Sequence, residues 1–205
     1  MKKVLLSLSL LLLVAVPLSA QAQIQIFDYN GYVQGLPDQI DLYAEVFDPG
    51  AAGELPLPLD FANYQYTLVI TGLLPAGGNA WSGGAIALYE DALVGGTAAD
   101  PANPATYTDG SVYLSGVVSL TRAPNIFQPN LAALSGTVDW TGGAHLNDLA
   151  PADQTGWAFM GAANSNPAEP LPAGYDEQWD GKIETEGVVD TRDGSWGGLK
   201  AEFQR

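Results

Sequence analysis

The densest run of oxygen-bearing side chains is Asp176-Glu177-Gln178-Trp179-Asp180-Gly181-Lys182-Ile183-Glu184. Calcium takes about six to eight hard oxygen ligands, and the loops that hold it place side-chain oxygens at alternate positions ahead of a glycine that turns the chain. On that spacing Asp176, Gln178 and Asp180 are the first three ligands and Gly181 is the turn. Glu184 or Glu186 adds a further carboxylate, and the cofactor implied is Ca²⁺. The pattern departs from an EF-hand, because glutamine holds the third position and Gly187 stands where the closing glutamate belongs. The competing reading is an Asp-Gly turn between two strands, its carboxylates simply solvated. Asp28-Tyr29-Asn30-Gly31 and Asp190-Thr191-Arg192-Asp193-Gly194 have the same character and also read as turns.

Aromatic rings offer a second chemistry. Of the five tryptophans, Trp140 and Trp157 fall in strand-like runs and read as core, whereas Trp81, Trp179 and Trp196 sit beside glycines in expected loops. An exposed indole on a β-scaffold is suited to stacking on a sugar ring, and the alternative is packing over one end of the fold.

Covalent and acid–base catalysis find less to work with. His145 is the one histidine and there is no cysteine, so a zinc site built on several histidines and a thiol nucleophile are both ruled out. No serine stands in a Gly-x-Ser-x-Gly elbow. A glycan-active hydrolase or lyase needs only a pair of carboxylates at the right separation, and 23 acidic residues offer many such pairs.

The charge balance narrows the partners. Seven basic residues against 23 acidic ones give a formal net charge of −16, and Gln23 to Thr121 contains no Lys or Arg at all. Phosphate contacts require clustered cations, so nucleic acid is excluded as a partner and anionic lipid headgroups are disfavoured. The acidic surface keeps an exported protein soluble, or it collects cations.

Residues 1–22 supply a start at Lys2 and Lys3, an apolar run from Val4 to Val16, and small residues at Ala20-Gln21-Ala22. That is the pattern of a cleavable signal peptide, which places the remainder outside the cytoplasm. Its apolar run is short of the ~20 residues that span a bilayer, and no later segment is apolar for that length. Without cysteine, neither disulfides nor a lipid-bearing thiol contributes.

Residues 23–205 suffice for one domain. Short runs rich in Val, Ile, Tyr, Leu and Thr, punctuated by Gly and Pro, carry no helical period and predict strands. The expected strands are 24–33, 40–47, 64–71, 85–89, 111–121, 131–141, 157–162, 181–189 and 199–203. Long Gly/Pro-rich loops separate them at 48–61, 95–108, 142–155 and 164–174, with one helical turn at 144–149. The look-alike runs Leu114–Leu120 and Leu134–Trp140 read as paired neighbours, and their matched glycines, Gly116 and Gly136, mark bulges or close backbone approach.

The stretches Gly110–Gly116, Thr137–Gly143 and Pro172–Asp176 give the chain a texture that resembles exported bacterial β-sandwich proteins of the PEP-CTERM-associated type. The sequence ends at Ala201-Glu202-Phe203-Gln204-Arg205 without the Val-Pro-Glu-Pro motif, apolar tail and basic terminus of that sorting signal. The resemblance implies a secreted or surface-matrix protein, and the missing tail implies release.

The fold expected is therefore a single antiparallel β-sandwich, jelly-roll-like, with long loops. The function expected is that of a secreted, non-catalytic structural or ligand-binding protein, its partners extracellular glycan or matrix components. The glycan-active enzyme ranks second. An outer-membrane β-barrel, which needs an outward apolar belt, ranks last.

Overall fold

The structure is a computed structural model that describes residues 25–50 and 57–185. Eight strands follow one another in chain order: β1 Gln25–Gln34, β2 Ile40–Phe47, β3 Tyr64–Gly77, β4 Ala80–Ala92, β5 Ser111–Pro124, β6 Leu131–Gly142, β7 Trp157–Asn164 and β8 Glu177–Glu184. Each pairs antiparallel with the next, and β8 pairs antiparallel with β1, so the sheet closes into an up-and-down barrel. The expected sandwich is overturned by that last ladder, in which Phe27 faces Ile183 and Gly31 faces Trp179. A sandwich keeps two sheets with free edges, whereas here pairing of the first and last strands removes every edge.

The strand positions follow the sequence reading through β7, except that β3 and β4 run well past the expected 64–71 and 85–89, to Gly77 and from Ala80 to Ala92. The eighth strand lies earlier than expected, at Glu177–Glu184. The expected strand at 199–203 lies outside the described residues.

Inward side chains alternate along the strands, as period-two geometry requires, and the alternation shifts at bulges such as those beside Phe27 and Tyr113. Eight strands enclose an interior just wide enough to be filled by side chains, and aromatic residues fill much of it. Trp140, Trp157, Trp179, Tyr29, Tyr66 and Phe159 are all fully buried. Tyr29 stacks on Phe159 at 4.9 Å between ring centroids, Trp140 meets Trp157 edge-on at 5.7 Å, and Phe159 meets Trp179 at 6.3 Å. Leu42, Leu68, Ile70 and Ile86 belong to the same core, each worth about 1.5–3 kcal/mol when fully withdrawn from water.

Large rings inside a narrow barrel need small neighbours. A Cβ on Gly136 would stand 2.7 Å from the Cβ of Leu120 across the β5–β6 ladder, which only a glycine avoids. The paired-neighbour reading of these two runs describes the structure.

Two carboxylates are buried, and each holds a base. At the end of the barrel reached by the β5–β6 and β7–β8 connections, Arg122 Nε donates to Glu177 Oε2 at 3.1 Å while a second guanidinium nitrogen pairs with Glu177 Oε1. Trp179 Nε1 donates to the same carboxylate at 3.0 Å. On the outer wall Glu184 pairs with Lys182. Arg122 and Lys182 are the two Lys or Arg side chains among the described residues.

The outer wall carries Asp28, Asn30, Asp41, Glu45, Ser119, Thr137 and Asp180. Between them stand outward apolar residues, among them Phe47, Ala85, Val117, Ala133, Met160 and Ala162. The chain thus forms a closed barrel, the fold that the lowest-ranked alternative requires. Among the described residues no helix is long and apolar enough to cross a membrane.

Candidate functional site: a groove on the outer wall

Two fragments that stand 150 residues apart in sequence become neighbours on closure. Asp28-Tyr29-Asn30-Gly31 lies in β1 and Gln178-Trp179-Asp180-Gly181 in β8, and the two are hydrogen-bonded partners. Their outward residues form rungs that continue onto β2 and β7. One rung runs Phe47, Asp28, Lys182, Met160, and the next runs Glu45, Asn30, Asp180, Ala162. Between these rungs the wall dips into an open groove of about 700 Å³.

Beneath the groove, Gly161 and Gly181 face each other across β7 and β8 at inward positions and leave room on the inner side of the wall. Tyr29 enters from the inside and fills the space beneath them, its hydroxyl donating to the Met160 carbonyl at 3.3 Å. Glycine weakens a strand and permits a sharp bend, and an aromatic ring laid across it restores packing. Burial, and after it the charge of Asp180, holds the Tyr29 phenol well above its ordinary ionisation range.

The polar rim is fixed by amide–carboxylate bonds. Asn30 Nδ2 donates to Asp180 Oδ2 at 3.0 Å, and Gln178 Nε2 donates to Asn30 Oδ1 at 3.1 Å. Asp28 accepts from Gln25, and Lys182 is held by Glu184. Desolvation raises the Glu45 carboxyl above its usual range beside the same rung. The apolar surfaces are Phe47, which is half exposed, with Met160 and Ala162. The arrangement offers hydrogen-bond acceptors and donors at set positions around an apolar floor.

The four residues expected to bind calcium are separated by this geometry. They lie along extended chain, not in a loop: Gln178, Asp180 and Glu184 belong to β8 and Asp176 precedes it. Strand rise puts Gln178 and Glu184 roughly 20 Å apart, far beyond one coordination sphere. Asp176 is engaged elsewhere, accepting from the Leu36 amide at 3.0 Å. Only Gln178 and Asp180 remain together, through Asn30. No group of three or more Asp, Glu, His or Cys side chains is placed to hold a metal among the described residues.

The three tryptophans expected to grip ligand are likewise dispersed. Trp179 is fully buried inside the barrel, because its position alternates inward with Glu177, Gly181 and Ile183. Trp81 is half-buried at the β3–β4 end, where it packs on the core and borders a smaller depression with Ser119, Ser135 and Thr137. No carboxylate lines that depression. Trp196 and the fragment Asp190–Gly194 lie outside the described residues.

The sequence reading passed over Phe47, Met160, Ala162 and Lys182. Each is an outward residue on a strand that was correctly or nearly placed, and only the closing register shows that they share a wall.

His145 is engaged at the barrel end opposite the β3–β4 turn. The β4–β5 ladder skips a residue there: Leu88 faces Leu114 and Tyr89 faces Val112, leaving Tyr113 as a bulge that turns inward. His145 stacks on Tyr113 at 3.9 Å, and its Nδ1 lies 2.6 Å from Asp148 Oδ2.

No family model, curated protein or solved structure matches the chain.

Proposed function

We propose that this chain is an exported, non-catalytic binding barrel that holds a neutral glycan in the groove across β1, β8 and β7. The observation that carries the reading is the groove itself, with Asn30, Asp180, Asp28 and Lys182 around the apolar surfaces of Phe47, Met160 and Ala162. A pyranose presents hydroxyls that both donate and accept on its rim and C–H groups on its faces. Paired amide and carboxylate groups over an apolar floor match that pattern, with the small number of oriented polar groups typical of ligand sites. The groove is open along its length and so suits a chain of sugars more than an enclosed small molecule.

The non-catalytic half of the reading rests on how the carboxylates are used. Asp180 and Asp28 are tied to amides, and Glu177 is buried in an ion pair with Arg122. Export rests on the signal-peptide pattern of residues 1–22.

Calorimetry with a panel of neutral β-linked oligosaccharides tests the proposal. Binding to the wild type is expected, weakened about 10- to 100-fold in Asp180→Ala, the size of one lost hydrogen bond to a charged group. If no oligosaccharide binds, or if Asp180→Ala and Asn30→Ala bind as the wild type does, the groove is not a glycan site.

A further inference from the structure

Beyond the Asn30–Asp180 rung of the groove the outer wall carries one more, which runs Tyr43, Tyr32, Gln178, Asn164 across β2, β1, β8 and β7. All four side chains are partly buried. Gln178 ties the two rungs together by donating to Asn30 at 3.1 Å.

Two long connections meet over the β2 side of this rung. Tyr107, from the β4–β5 connection, is fully buried there, and its carbonyl accepts from Thr67 Oγ1 at 2.7 Å. Tyr175, from the β7–β8 connection, donates its hydroxyl to the Pro101 carbonyl at 3.0 Å. Its ring meets Tyr32 at 5.5 Å and Tyr43 at 6.4 Å, and Tyr43 meets Tyr107 at 5.8 Å. The four rings form an aromatic corner. Packing of the connections accounts for Tyr43, Tyr107 and Tyr175. Tyr32 is the ring that borders the groove, two residues from Asn30 on the same face of β1 and paired with Gln178 of β8.

We propose that Tyr32 is the stacking platform of a terminal subsite, and that the ligand is a linear oligosaccharide lying along β1 and β8 from Phe47 to Tyr32. This rests on the glycan reading of the groove and adds the ligand's length and direction. From Asp28, beside Phe47, to Tyr32 the strand rises about 14 Å, room for about three linked pyranose rings. Phe47, 46% exposed, stands at one end, Asn30 and Asp180 hold the middle, and Tyr32 stands at the other. The C–H faces of the end sugars stack on the two aromatic rings, while the hydroxyls of the central sugar meet the amide and carboxylate. Across the strands the same rung runs on from Asp180 to Ala162 and Ala133, which offer a sugar neither a ring nor a polar side chain. The ladder therefore favours the direction along the strands.

Titration of the full chain with neutral β-linked oligosaccharides of increasing length tests this. A disaccharide is expected at the Phe47 end, where that ring lines the groove itself. Affinity is expected to rise about threefold to tenfold from disaccharide to tetrasaccharide, the worth of one aromatic platform. Tyr32→Ala should abolish the rise and leave disaccharide binding unchanged, and Tyr32→Phe, which keeps the ring, should retain it. Nuclear Overhauser contacts between tetrasaccharide C–H groups and the Tyr32 ring of the wild type are expected as well, a readout independent of whether the variants fold. Equal affinity at both lengths, a rise that survives Tyr32→Ala, or a loss shared equally by both lengths overturns the subsite while the groove reading stands. Absence of binding at every length overturns both.

Discussion

The Tyr29 hydroxyl lies 2.5 Å from the point where a Cβ on Gly181 would stand, so the ring of one residue occupies the room left by the missing side chain of the other. The same hydroxyl is 2.7 Å from the corresponding point on Gly161. Closure of the barrel between β1 and β8 passes through this contact. Gly181→Ala is therefore expected to destabilise the fold by about 1–3 kcal/mol, the range for overpacking a filled core. Tyr29→Phe, which loses only a long hydrogen bond, is expected to lower stability by under ~1 kcal/mol. Urea unfolding of the two variants distinguishes them, and equal stabilities would show that Tyr29 does not fill this space.

Arg122 and Glu177 bring a second expectation. Glu177 is almost fully buried, so Arg122→Met leaves its carboxylate without a counter-charge and is expected to lower stability by about 3 kcal/mol or more. Pairing it with Glu177→Leu removes the stranded charge and is expected to recover most of the loss. Denaturant melts of the single and double variants form the test. A double variant no better than the single would mean that the carboxylate is satisfied by something other than Arg122.

High pH is expected to unfold the barrel. Burial, ahead of neighbouring carboxylates, raises the phenols of Tyr29, Tyr66, Tyr107 and Tyr113 above their ordinary range near 10. A group raised in the folded state contributes stability that is complete below its unfolded value and is lost as pH climbs through the folded one. Stability should hold up to about pH 10 and fall steeply above it. Tyrosinate absorbance followed together with circular dichroism checks this: buried phenols should ionise in step with loss of strand signal, and ionisation well before unfolding would contradict it.

Much of this architecture is legible in the residues. Runs such as Ile40–Phe47 announce their ends with Gly and Pro and their inward face by alternation, and that strand is found where it was expected. Closure is another matter. Whether the last strand returns to the first depends on contacts between Gln25–Gln34 and Glu177–Glu184, which nothing local to either run encodes. Asp180-Gly181 is a turn signal by composition, yet Gly181 is glycine because Tyr29 lies against it in mid-strand. That misreading moved β8 four residues toward the C-terminus, and set Trp179 in a loop when it is a core residue. The groove was half visible: Asp28–Gly31 and Asp176–Glu184 stood out as separate oxygen-rich fragments, and only the β1–β8 ladder brings Asn30 to Asp180.

Amide chemical shifts recorded as a neutral oligosaccharide is titrated into the isotopically labelled protein address the groove most directly. The expected result is a set of progressive shifts centred on Asn30, Met160, Asp180 and Lys182, lost in Asp180→Ala. Shifts clustered instead on the wall around Trp81 and Thr137, or none anywhere, would contradict the assignment of the outer groove as the ligand site.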